Sequence, residues 1–128
     1  MDMNRLTEKV QDALRAAQTR ALRLGHQQVD VEHLFVALLE QEGGLAPAIL
    51  LKAQANLEGL HRRLAHELDR LPKVSVQGSA PDQIYVTGRL QRLLADAEEE
   101  ARRLKDDYVS VEHLLLALTA EAAQAAAS

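Results

Sequence analysis

Apolar residues recur at spacings of three and four along most of the chain. Leu6, Val10, Ala13, Leu14, Ala17, Ala21 and Leu24 form one stripe, which a helix of 3.6 residues per turn places on a single face. Gly25 follows the stripe, where a left-handed cap ends a helix. A second stripe, Val31, Leu34, Phe35, Leu38 and Leu39, starts after Asp30, a good N-cap, and stops at Gly43 and Gly44. Pro47 fits only the first turn of a short third helix. Asn56 caps a fourth helix, whose inward positions are Leu57, Leu60, Leu64 and Leu68. After a stretch punctuated by Pro72, Gly78, Ser79 and Pro81, the helical period resumes with Leu90, Leu93, Leu94, Ala97, Ala101 and Leu104. Ser110 then caps a helix carrying Val111, Leu114, Leu115 and Leu118. The pattern predicts helices at about 4–24, 30–41, 45–53, 57–69, 86–104 and 110–122.

The stripes repeat at an offset of 80 residues. Positions 7–38 match positions 87–118 at 14 of 32 sites without a gap, where chance at ordinary composition gives about two or three. Val31-Glu32-His33-Leu34 against Val111-Glu112-His113-Leu114 is the longest identical block. The chain therefore reads as an all-α, pseudo-twofold duplicated helical bundle. Repeat one covers about 4–71, a linker 72–83, and repeat two 84–128. By the offset, Leu45 to Ala48 correspond to Ala125 to Ser128, so the second repeat is expected to be incomplete, lacking its last two helices.

Composition narrows the picture. The 128 residues suit one compact domain. Only Phe35, Tyr85 and Tyr108 are aromatic, so the core is built from Leu, Ala, Val and Ile, a helical palette. A formal charge of -4 argues against a nucleic-acid partner. Without cysteine there is neither a disulfide nor a thiolate metal site. No apolar run reaches the roughly 18 residues that cross a bilayer, and Met1 to Arg5 does not open a signal peptide. The expectation is a cytoplasmic protein that meets no membrane.

Catalytic signatures are missing from the sequence. Gly43-Gly44 is not followed by Lys-Ser/Thr, neither Ser75 nor Ser79 sits in a nucleophile elbow, and there is no His-Glu-x-x-His helix. His33 and His113 each follow a Glu, but one His per helix is a poor ligand set, so no metal is expected and each ring should lie partly packed in a first turn. Glu32 and Glu112 fall two residues past a cap, where a carboxylate favours the positive end of the helix dipole. They also suit a basic or amide-bearing ligand at a groove edge. Thr7 and Thr87 read as N-caps of the long helices. Glu98 with Arg102 and Glu99 with Arg103 are i,i+4 pairs on a solvated face.

Arg5-Leu6-Thr7, Gly25-His26, Val31-Glu32-His33-Leu34 and Ala37-Leu38-Leu39 resemble the repeated Clp N-terminal domain, which caps AAA+ unfoldases of the ClpA, ClpB and ClpC kinds. Gln41-Glu42-Gly43-Gly44, Arg70-Leu71-Pro72-Lys73-Val74 and the stretch from Asp106 to Leu115 look most like ClpB. The resemblance implies a domain that is not an enzyme by itself. It engages unfolded or aggregated polypeptide and delivers it to a hexameric AAA+ motor, whose ATP and Mg sites lie outside this chain. A DnaK-type chaperone system would act with the full-length protein. The same resemblance places a peptide groove between the two repeats, with Thr7, Asp106 and Glu112 at its rim, Leu94 in its floor, and Glu32, Thr87 and His113 as further rim positions. Glu32 and Glu112 also match the paired acids with which ClpC-type domains read phosphorylated arginine, so adaptor docking or phosphoarginine binding is the second reading. A bundle that only positions the motor, with no ligand, is the third.

Overall fold

The computed structural model describes residues 3–73 and 85–127. Most of the predicted linker, 74–83, therefore lies outside the described residues. Among the described residues six α-helices run in the order α1 (Glu8–Arg23), α2 (Val31–Glu40), α3 (Leu45–Lys52), α4 (Leu57–Asp69), α5 (Gly88–Arg103) and α6 (Val111–Ala127). Each long helix packs on the one that follows it. Ala13, Ala17 and Ala21 of α1 are fully buried, and their small side chains let α2 approach closely with Leu34 and Leu38. In the second unit Leu93, Ala97 and Ala101 of α5 meet Leu114 and Ala117 of α6 in the same continuous core. A separate cluster joins α2 to α4 through Val36, Leu64 and Leu68.

The caps predicted at Thr7, Asp30, Asn56 and Thr87 are present, whereas the Ser110 hydroxyl turns to the side chains of Glu112 and His113. Thr7 and Thr87 accept from the backbone N–H of Val10 and Leu90 at 3.3 and 3.0 Å, and Asn56 accepts from Gly59 at 3.0 Å. Asp30 accepts from Val31 at 2.7 Å, while His33 reaches back to the Asp30 N–H at 2.9 Å. His33 thus fills the place that Glu or Gln takes in a capping box. His113 does the same for the Ser110 N–H, also at 2.9 Å. Both rings are buried, at 0% and 3% exposure, rather than partly packed as the sequence suggested.

Four expectations need correction. The chain does not enter α1 at residue 4: Met3–Arg5 form a single 3-10 turn, and Leu6 pairs in parallel with Val109 before Thr7 caps the helix. Residue 86 is not helical either. Tyr85–Val86 form a strand, β2, parallel to β1, Gln28–Val29. In both places the backbone groups find partners in the other unit, which a one-dimensional period does not report. α6 runs to Ala127 instead of 122, through the positions where a third helix of repeat two was expected to begin. The stop of repeat one, Gly43 (φ +61) with Gly44, is replaced at the equivalent sites by Ala123 and Gln124, both good helix formers. Finally, Arg103 pairs with Glu100 instead of Glu99, and Arg102 takes both Glu98 and Glu99.

Candidate functional site

The two units are joined by a reciprocal exchange. The Thr87 N–H donates to the Val29 carbonyl at 3.1 Å, and the equivalent Thr7 N–H donates to the Val109 carbonyl at 3.0 Å. Each unit thus gives the start of its long helix to the segment before the second helix of the other. A contact that maps onto itself when the partners are swapped is isologous, the mark of twofold symmetry. α1 and α5 each span 16 residues at the same offset, in keeping with that relation.

A groove of about 490 Å³ opens along this junction between α1 and α5. Leu6, Leu14, Val29, Val86, Leu90 and Leu94 give it an apolar lining, and Arg15, Gln18 and Glu98 stand at its edge. Concave apolar surface carrying a few polar groups is where a ligand buries most area per contact. Of the residues singled out in the sequence, Leu94 lines the groove, and Thr7, Asp106 and Glu112 do not.

Those three instead belong to a polar cluster next to it, linked through Leu6 and Val109. Asp106 accepts from Nε2 of His113 at 2.8 Å, and the Ser110 hydroxyl donates to Glu112 at 3.3 Å. Thr7 is tied to this segment by its bond to Val109. Glu112 is exposed.

The corresponding acid of the first unit is differently engaged. Glu32 holds the guanidinium of Arg89, which also bonds Glu121 at 2.7 Å and lies 3.8 Å from Asp30. Burial works against the Arg89 charge, but the bonds to Glu32 and Glu121 outweigh it and raise its pKa. Thr87 adds a hydrogen bond to Asp30 at 2.9 Å, so it ties the two units together as well as capping α5. Arg89 escaped the sequence reading because nothing in a helical period marks which exposed arginine crosses to another element. Arg15 at the groove edge was missed for the same reason, and Glu98 was read only as the partner of Arg102 on a solvated face.

Behind the Asp30 cap lies a buried histidine pair. Nδ1 of His33 accepts from the Asp30 N–H, so the His33 proton sits on Nε2, which donates to Nδ1 of His26 at 2.8 Å. The rings meet edge to face, 5.0 Å between centroids. Burial, then repulsion from His26, pushes the His33 pKa down to about 4. Burial and the nearby Lys73 charge also lower that of His26. Among the described residues no group of three or more His, Asp or Glu is placed to hold a metal ion.

Residues 5–128 match the family model of the Clp repeat N-terminal domain. The chain belongs to that family. The chaperone protein ClpB of Nitratidesulfovibrio vulgaris is 48% identical over 123 residues, covering 96% of this chain and 14% of that protein. ClpB of Bacillus anthracis is 43% identical over 121 residues, 94% of this chain and again 14% of the relative. The chain thus spans about one seventh of the length of these curated relatives. Among solved structures, the N-terminal domain of the ClpV1 ATPase from E. coli superposes with a TM-score of 0.81 at 25% identity, covering 91% of this chain and 68% of that one. The Hsp104 N-terminal domain from Candida albicans gives 0.76 at 22% identity, over 88% of this chain and 72% of that one, and shows a shared fold. Among the described residues no single helix is long and apolar enough to cross a membrane.

Proposed function

We propose that this Clp N-terminal domain is the non-catalytic, cytoplasmic substrate-binding domain of a ClpB-type disaggregase. It engages exposed apolar segments of unfolded or aggregated polypeptides in the groove between α1 and α5, and delivers them to the hexameric AAA+ motor. ATP and Mg act in that motor, and a DnaK-type system works with the full-length protein. The observation that carries the reading is the apolar groove of about 490 Å³ on the junction of the two units. A shallow Leu- and Val-lined surface accepts many side chains and holds none tightly, which suits capture followed by release. The neighbouring acidic cluster of Asp106 and Glu112 favours segments that carry a basic residue beside their apolar ones.

Phosphoarginine reading is less well supported, because Glu32 already holds a guanidinium of the chain's own, that of Arg89. The two readings separate in one titration. A reduced, alkylated model polypeptide should shift the amide signals of Leu14, Leu90 and Leu94, and a phosphoarginine peptide should not. Leu94→Asp should weaken polypeptide binding about tenfold or more while the circular dichroism stays unchanged, since it places a charge on a surface that must be desolvated. Undiminished binding by Leu94→Asp would remove the groove from the account.

A further inference from the structure

Four pairs of equivalent residues line the groove, beside Val29, Leu90 and Gln91, whose equivalents Val109, Val10 and Gln11 do not. Leu6 faces the role of Val86, Leu14 that of Leu94, Arg15 that of Ala95 and Gln18 that of Glu98, each pair separated by the same 80 residues. Because the units exchange their hydrogen bonds reciprocally, the axis relating them passes through this junction. A half-turn about an axis entering the groove reverses any direction lying along its floor. A segment bound across the axis therefore meets Leu and Val walls of the same kind whichever way its chain runs. Main-chain direction alone gives it little reason to prefer one orientation.

In charge, the symmetry fails at the polar edge. On one side stand Arg15 and Gln18; the equivalent sites opposite are Ala95 and Glu98. One side is thus basic and the other acidic. Both charges have a local partner: Arg15 pairs with Asp12 along α1, and Glu98 with Arg102 at 3.3 Å along α5. These are pairs of neighbouring turns in contact with solvent, which hold their charges weakly and leave them open to a ligand.

We propose that the groove binds short apolar peptide segments in both chain directions, and that Arg15 and Glu98 select one direction when the segment is acidic at one end and basic at the other. The proposal rests on the peptide-binding reading above and adds the chemistry that orders the ligand. The acidic end lies on the Arg15 side and the basic end on the Glu98 side. With two weak rim pairs acting together, the preferred orientation should dominate about tenfold.

The experiment uses capped seven-residue Leu/Val peptides with a nitroxide at the N-terminus, read by paramagnetic broadening of the Gln18 and Glu98 amides. The uncharged peptide should broaden both. A peptide with Glu at its N-terminal end and Lys at its C-terminal end should broaden Gln18 about tenfold more than Glu98. The Arg15→Glu, Glu98→Arg double variant should reverse that ratio, with the circular dichroism unchanged because both sites lie at the edge. One-sided broadening by the uncharged peptide, or a charged-peptide ratio that ignores the double variant, overturns the proposal while leaving peptide binding intact. Failure of every peptide to shift any groove amide overturns the binding reading itself, and the orientation rule with it.

Discussion

The two units share a long capped helix, a left-handed turn and the start of a second helix, and differ in what they place on that frame. At the left-handed residue after the long helix, the first unit has Gly25 (φ 77) and the second Lys105 (φ 61). One position later the first buries His26 against His33, and the second sets Asp106, half exposed to solvent, against His113. On the outer face of the second helix, Val36 is 1% exposed beneath Leu64 and Leu68 of α4, while its counterpart Leu116 is 43% exposed. The comparison separates two kinds of constraint. The caps, the left-handed turn and the reciprocal hydrogen bonds are kept because backbone groups have to be satisfied in both units. The chemistry beside them varies because a neighbouring carboxylate, a second imidazole or a covering helix can each complete the same frame.

The largest expected difference is in the response to acid. His33 has an ordinary pKa of 6.5 when unfolded and about 4 when folded, so the folded unit disfavours its charged form. Stability from this depression is complete above pH 6.5 and is lost as pH falls toward 4, amounting to about 3 kcal/mol in all and about 2 kcal/mol by pH 5. His26, also lowered, acts in the same direction. Both rings belong to the first unit, so acid should loosen that unit before the second. Hydrogen exchange between pH 7.5 and 5 should show α2 and α4 losing protection ahead of α5. Equal loss in both units, or none, would contradict the assignment of the sensitivity to the histidine pair.

Next in size is the covering helix. Val36→Ala should cost about 1–3 kcal/mol because it opens space beneath α4. Leu116→Ala, at the equivalent but exposed site, should change stability by less than about 0.5 kcal/mol. Urea melts of the two variants measure both values, and similar costs would mean that the faces are not differently packed.

The smallest effect concerns the left-handed turn. Lys105 adopts a conformation that disfavours an L side chain by about 1–2 kcal/mol, and glycine gives back part of that gain through its freer unfolded chain. Lys105→Gly should therefore stabilise the domain by roughly 0.5–1 kcal/mol, seen as a higher melting temperature. A lower one would mean that the Lys105 side chain contributes contacts that outweigh its backbone conformation.

Much of this architecture was legible along the chain. The stripes of Leu and Ala located the six helices, since burial of one face imposes a period of 3.6 residues wherever the helix lies in the fold. Asp30, Asn56, Thr7 and Thr87 announced their caps because a helix start has its own local chemistry. The 80-residue offset announced the duplication, and the family resemblance put Leu94 in a groove between the repeats, while its equivalent Leu14 was read only as part of a helical stripe. The polar residues around the groove were less legible. Thr7, Asp106 and Glu112 were grouped with Leu94, yet they stand in an adjacent cluster, while Arg15 and Glu98 occupy the groove's edge.

The sequence by itself determined what each segment can do locally: form a helix, end it, and bury one face. Only the tertiary structure decided which segments meet. Leu6 leaves the helix to pair with Val109, Val86 becomes a strand beside Val29, and Arg89 crosses to Glu32. Each of these contacts joins residues far apart in the chain, and its free energy depends on desolvation and on a partner that local periodicity does not encode.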